Sequence, residues 1–225
     1  MSDHYYTDVP SSAPRPRMIE AVLRGRTFRF ETDAGMFSNR GVDFGTRLLI
    51  EAMDIPAGAD VLDVGCGYGP IGIVAAALAP DGFVTMIDRN LRAVELARRN
   101  AERLGLKNVR VLAGNLFEPL APGETFDVVL TNPPIRAGKD IVYGIFEGAF
   151  ERLRPGGSLW IVIRKQQGAP SARAKLENLF GEVLEADKDA GYRVYRAVKA
   201  ADRAESGVST HIKMLPKGNG SLTYF

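Results

Sequence analysis

The sequence predicts an α/β fold in which a doubly wound, mostly parallel sheet carries helices on both faces. Short runs rich in Val, Ile and Leu recur through the middle of the chain, each bounded by Gly, Pro, Asp or Asn. Helix-length stretches separate these runs. The first run opens directly into a glycine-rich turn. Strand–helix alternation of this kind calls for right-handed crossovers and strands buried on both faces.

Taken in order, Thr27–Glu31 alternates like a short strand, and Phe44–Met53 reads as a helix leading into the core. Core strands are expected at Asp60–Val64, Val84–Asp88, Val109–Leu112, Asp127–Thr131 and Leu159–Ile163. Helices are expected at Ile71–Leu78, Leu91–Leu104, Asp140–Leu153 and Ser171–Phe180. In the second of these, Leu91, Val94, Leu96, Ala97, Ala101 and Leu104 share a face, Asn90 suits the N-cap and Gly105 the C′ position. Val183–Lys188 and Tyr192–Val198, separated by Asp189-Ala-Gly191, read as an antiparallel hairpin closing one sheet edge. The expected organisation is a basic arm over 1–27, one domain over 28–199, and a mobile or loosely docked tail over 200–225.

Composition excludes several classes. With 225 residues, 45% hydrophobic and 25% charged, the chain is an ordinary globular sequence with enough length for a sizeable core. Its single cysteine, Cys66, cannot form an internal disulfide and suits a reducing, cytoplasmic setting. Met-Ser-Asp-His opens no apolar leader, and the longest apolar run, Ile71 to Pro80, is too short to span a membrane. His4 and His211 lack companions at metal-ligand spacing, so no metal is expected. A net charge of +2 implies no polyanion by itself. Two local clusters do carry excess positive charge: Arg15, Arg17, Arg24, Arg26 and Arg29, and then Arg164, Lys165, Arg173 and Lys175. Each reads either as a solvated face or as a phosphate contact.

The chemistry concentrates in two motifs. Asp63-Val-Gly65-Cys-Gly67-Tyr-Gly69-Pro70 runs from a strand into a turn whose glycines let the backbone approach a flat ligand. The next strand ends at Asp88, where a carboxylate can accept ribose hydroxyls. Together they indicate an adenosine-bearing cofactor. A dinucleotide loop calls for glycine where Pro70 stands, and its pyrophosphate would be repelled by Asp63; a cationic ammonium or sulfonium would be attracted. The sign of that charge selects S-adenosylmethionine.

The fourth strand ends in Asn132-Pro133-Pro134-Ile135. Two prolines rigidify the turn, so the Asn132 side-chain oxygen and the Pro133 carbonyl are expected to converge on one point. Two such acceptors would take both hydrogens of an exocyclic amine and favour its nucleophilic form. Attack on a sulfonium methyl then needs positioning and electrostatics more than a strong base. The residues alone leave open a nucleobase, a protein glutamine, a small-molecule amine, or a catalytically silent RNA-binding assembly factor.

These motifs resemble the class I, Rossmann-like methyltransferases, and more narrowly the small-subunit ribosomal RNA guanine-N2 methyltransferases and their single-domain relatives. The likeness runs from about Phe28 to Lys199 and includes Gly35-Met-Phe37-Ser38 and Asp43-Phe-Gly45-Thr46. It implies a seven-stranded sheet with the last strand antiparallel. It also implies that Phe37 and Thr46 help close the cofactor site. Arg89 and Asn90 would flank the ribose, and Asn115, followed by Leu116, would touch the adenine. The implied partner is ribosomal RNA or the small ribosomal subunit, met by a monomer or homodimer. Two departures stand out: the full-length guanine enzymes carry a further N-terminal domain that this length does not accommodate, and Ile135 replaces the aromatic residue usual in adenine and glutamine methylators. Arg136, Lys139, Arg164 and Lys165 are placed by the reading where substrate phosphates would lie. Cys66 is expected to fill a tight loop, and Trp160, Phe146 and Phe150 to lie in the core.

Overall fold

The computed structural model describes residues 15–33 and 41–201. The expected tail beyond residue 201, His4 and His211, and the Gly35–Ser38 segment with Phe37 lie outside the described residues, as does the side chain of Arg136. Strands β1 (Pro16–Leu23) and β2 (Arg26–Asp33) form a separate antiparallel hairpin. Helix α1 (Phe44–Ala52) precedes the core, where β3 (Asp60–Val64), α2 (Pro70–Leu78), β4 (Phe83–Asp88), α3 (Leu91–Arg103), β5 (Val109–Ala113) and β6 (Phe126–Thr131) alternate. After them come α4 (Lys139–Arg152), β7 (Leu153–Arg164), α5 (Ala169–Phe180), β8 (Val183–Asp189) and β9 (Tyr192–Val198).

The main sheet has seven strands in the order β5-β4-β3-β6-β7-β9-β8. All pairs from β5 to β7 are parallel, whereas β9 runs antiparallel to both of its neighbours. The last strand is therefore the reversed one, inserted between β7 and the edge strand β8. Alternation along each strand splits the core in two. Val61, Val84, Met86, Val128, Leu130, Trp160 and Val162 meet α1, α2, α3 and the hairpin on one face. Leu62, Val64, Ile87, Val129, Leu159, Ile161 and Ile163 meet α4 and α5 on the other. Phe146 and Trp160 are buried as the sequence suggests, while Phe150 is half-buried and packs edge-on against Phe180.

Two expectations are corrected. The segment expected as a basic arm contributes β1, whose Ala21 and Leu23 are buried in the core. Its turn, Arg24-Gly25, holds both residues at positive φ (51° and 71°), the conformation that lets a two-residue hairpin follow the strand twist. The fifth core strand starts at Leu153 rather than Leu159, because Leu153 pairs with Phe126 before a register shift.

Asn100, in the last turn of α3, fastens the hairpin to the core. Its Oδ1 accepts from Glu31 N at 2.7 Å, and its Nδ2 donates to the carbonyls of Glu31 and Tyr68, each at 2.9 Å. The side chain is wholly buried. Asn100→Ala leaves these groups unpaired, and we expect a loss of about 3 kcal/mol in urea unfolding, since each abandoned buried group costs about 1–3 kcal/mol. A change below 1 kcal/mol would mean that water replaces the amide.

Candidate functional site

The order of strands reverses between β3 and β6: β4 and β5 lie to one side, β7 to the other. In such sheets the crevice beyond the strand carboxyl ends at this reversal is the ligand site. Both sequence motifs meet there. Thr131, at the end of β6, donates through Oγ1 to the carbonyl of Val64 at the end of β3, at 2.9 Å.

The glycine loop is held by backbone geometry. Gly65, Gly67 and Gly69 adopt positive φ of 75°, 58° and 95°. Gly65 N and Cys66 N donate to the Ile87 carbonyl at 2.9 and 3.0 Å, clamping the loop to β4. Gly69 caps α2 in the left-handed region, with Pro70 beginning the helix. A Cβ on Gly65 would meet open space, whereas one on Gly72 would lie 2.5 Å from Met86 Cγ. One glycine therefore leaves room for a ligand and the other allows close helix–strand contact. Cys66 is buried, and burial pushes its thiol well up from the ordinary range, as expected for a packing residue rather than a nucleophile.

Asp63 is fully buried; its Oδ2 accepts from Gly72 N at 2.9 Å, while Oδ1 has no hydrogen-bond partner. Burial pushes its carboxyl up to about 7, against the opposing Gly72 N–H and with a contribution from the charge of Asp88. The Tyr68 hydroxyl in the same loop is also buried without a partner. Asp88 accepts from Gly67 N at 2.9 Å and from Asn90 N at 2.8 Å, each on a different oxygen. Those bonds fix the orientation of the carboxylate at the end of β4. Asn90 caps α3, its side-chain oxygen accepting from Arg92 N and Ala93 N. That oxygen is committed to the helix. Arg89 is exposed beside it. Asn115 is exposed next to Gly114, whose N–H bonds the Asp88 carbonyl, and Leu116 follows at φ 49°.

At the end of β6, Asn132 Nδ2 donates to Thr46 Oγ1 at 3.0 Å. Thr46 sits in the first turn of α1, where its N–H is capped by Asp43. With the amide nitrogen committed, Asn132 Oδ1 is the free acceptor; among the described residues it takes no hydrogen bond. The Pro133 carbonyl departs from expectation. It accepts from Ile135 N at 2.9 Å, closing an inverse γ-turn at Pro134 (φ −76°, ψ 80°), so one of its lone pairs is already used. Ile135 forms a wall of a small cleft shared with Lys139, Val142, Tyr143, Ile163 and Gln167.

The second basic cluster divides. Arg173 pairs with Glu177 and Lys175 with Glu147. Arg164 and Lys165, at the carboxyl end of β7, are exposed and have no ion pair among the described residues. Thr46 and Asn100 carry roles in positioning that no local pattern reveals. We expect Thr46→Val to lower kcat about tenfold, the worth of one hydrogen bond of about 1.4 kcal/mol, by freeing the Asn132 amide to rotate. An unchanged kcat would show that the amide is fixed by other means.

Residues 27–196 match the family model described as the methyltransferase small domain. The chain belongs to the methyltransferase small-domain family. This methyltransferase is 48% identical over 200 residues to the uncharacterized protein YbxB of Bacillus subtilis, covering 88% of the chain and all of that relative. It is 33% identical to the ribosomal RNA large subunit methyltransferase G of Streptomyces avermitilis, and 31% identical to the ribosomal RNA small subunit methyltransferase C of Salmonella choleraesuis. Those matches cover 74% and 75% of the chain but only 44% and 48% of the relatives, so it spans about half their length. Among solved structures, the 16S rRNA N2 methyltransferase RsmC of T. thermophilus, in complex with AdoMet and guanosine, matches with TM-score 0.74 and 29% identity. That match covers 82% of this chain and 50% of the other.

Proposed function

We propose that this methyltransferase uses S-adenosylmethionine to methylate an exocyclic amine, guanine N2 of small-subunit ribosomal RNA. The observation that carries the reading is the Asn132 amide, anchored by its nitrogen on Thr46 so that Oδ1 remains to accept a substrate N–H at the strand reversal. The cofactor site fits a cationic adenosine ligand on two counts: the buried, unpartnered Asp63 Oδ1 and the open space over Gly65. Asp63 would face the ligand's positive charge, Asp88 the ribose, and the segment at Asn115 and Leu116 the base. The bound cofactor supplies an electrophilic methyl group. Asn132 then orders the amine and stabilises positive charge developing on its nitrogen, with the second lone pair of the Pro133 carbonyl as a further acceptor.

The guanine reading is supported by the RsmC match at 29% identity and by Ile135, which offers apolar contact without an aromatic stack. Relatives act on both ribosomal subunits by name, and the small subunit is favoured by the structural match. The test is transfer of labelled methyl from S-adenosylmethionine to naked ribosomal RNA, isolated 30S and 50S subunits, and ribosome-free protein extract, followed by nucleoside and amino-acid analysis. Label in N2-methylguanosine of the small-subunit RNA is expected. Label confined to the large subunit would move the target, and label resistant to complete ribonuclease digestion would replace RNA by protein.

A further inference from the structure

Phe44 opens α1 and is 41% exposed, an unusual position for a large apolar ring two residues from Thr46. Its ring lies against Tyr192 at a centroid distance of 5.6 Å, tilted by 38°. The Arg164 guanidinium covers the Tyr192 ring at 5.3 Å from its centroid. Backbone pairing fixes this arrangement: Arg164 and Tyr192 are register partners on β7 and β9, and Lys165 N donates to Gly191 O at 2.7 Å. The α1 side is equally constrained. A Cβ on residue 45 would lie 2.8 Å from Tyr192 Cε1, so Gly45 lets the ring press on the first helical turn.

The group thus combines an exposed aromatic face, a guanidinium plane and an exposed lysine at the carboxyl edge of the sheet. Among the described residues no acid forms an ion pair with Arg164 or Lys165. Asp43 is turned onto the α1 N-terminus, with Oδ1 accepting from Thr46 N. Asp187 and Asp189 lie on β8, Asp189 as the register partner of Tyr192, and accept from Lys188 N and Ala190 N. Aromatic rings beside unpaired cations suit a stacked base with its phosphate, and single-stranded RNA is recognised in that way. The Asn132–Thr46 hydrogen bond ties the first turn of α1, and with it Phe44, to the catalytic turn.

We propose that Phe44, Tyr192, Arg164 and Lys165 form a docking platform for an unpaired nucleotide flanking the target, its base stacked on Phe44 and its phosphate held by Arg164 and Lys165. The proposal rests on the RNA reading above. It assigns Phe44 and Tyr192 to substrate positioning and accounts for a core-type residue left facing solvent.

The experiment uses the full chain and a short single-stranded oligoribonucleotide carrying 2-aminopurine beside a central guanosine. Stacking on Phe44 is expected to quench the probe. Phe44→Ala should weaken binding about tenfold and abolish the quench, while Phe44→Tyr retains both. Arg164→Gln should lower the salt dependence of binding by about one phosphate contact. Affinity for S-adenosylhomocysteine and the thermal midpoint serve as controls and should not change in Phe44→Ala. Equal binding and quenching by wild type and Phe44→Ala would overturn the platform and leave the RNA reading standing. Failure of the wild type to bind the oligonucleotide would also overturn it. Binding to whole ribosomal RNA, measured in parallel, then shows whether the RNA reading falls with it.

Discussion

Asn132→Ala is expected to reduce methyl transfer roughly 10³-fold while leaving cofactor affinity within a factor of two. The magnitude follows from removing one preorganised polar contact to the reacting group, which costs about 10²–10³ in turnover, together with the loss of orientation of the amine. The backbone should persist, because Pro133 and Pro134 fix their own φ angles and the turn is closed by the Ile135 N–H. Cofactor affinity should persist because Asp63 and Asp88 belong to β3 and β4 and owe no hydrogen bond to Asn132. Single-turnover transfer and equilibrium binding of S-adenosylhomocysteine separate the two quantities. Transfer within tenfold of wild type would remove Asn132 from the reaction.

The second large effect is pH-dependent and centres on Asp63. Its carboxyl titrates near 7 in the fold against an ordinary 3.8, because burial opposes the charge. The protonated form is the one that the fold favours. Its stabilising contribution is complete below pH 3.8, declines as pH rises and is lost above about 7. Over that window the cofactor-free protein loses on the order of 4 kcal/mol from this group. Ligand binding should run the opposite way, since a cation favours ionised Asp63. S-adenosylmethionine affinity is expected to rise about tenfold between pH 6 and pH 8, with proton release at pH 6. Asp63→Asn should flatten both profiles, raise the melting temperature of the cofactor-free protein at pH 8 and weaken cofactor binding. Calorimetry in buffers of differing ionisation enthalpy, with melting curves across pH, reads both. Cofactor affinity independent of pH in the wild type would contradict the assignment of Asp63 to the ligand's charge.

The parts of the site legible in the sequence are those where the backbone itself makes a demand. Gly65, Gly67 and Gly69 all require positive φ, and Asn132-Pro-Pro leaves few conformations, so local residue types sufficed. The reversed last strand was legible for a similar reason: Ala190-Gly191 makes a tight turn with both residues at positive φ. The same dipeptide logic at Arg24-Gly25 marks the first hairpin, but the pattern of β1 is obscured. Met18 and Val22 point outward, 52% and 58% exposed, and blur the alternation that Ala21 and Leu23 would have shown. The bond from Ile135 N to the Pro133 carbonyl is not legible, because an inverse γ-turn depends on ψ at Pro134, which residue type does not determine. Asn100 and the Thr46–Asn132 bond were invisible for another reason. Their partners lie 69 and 86 positions away, beyond any periodic signal.

Asn100 also bears on where the chain can be divided. The family match begins at residue 27, inside the β1–β2 hairpin, and invites a cut there. Such a cut would remove β1 and its antiparallel pairing with β2, and would strip Leu23 from the core. Glu31, the anchor for the Asn100 amide, would then sit on an unsupported strand, and the loosened amide also holds the Tyr68 carbonyl of the glycine loop. Grafting or shortening this domain is therefore best done ahead of Pro16, because the hairpin that looks like an accessory braces the glycine loop from behind.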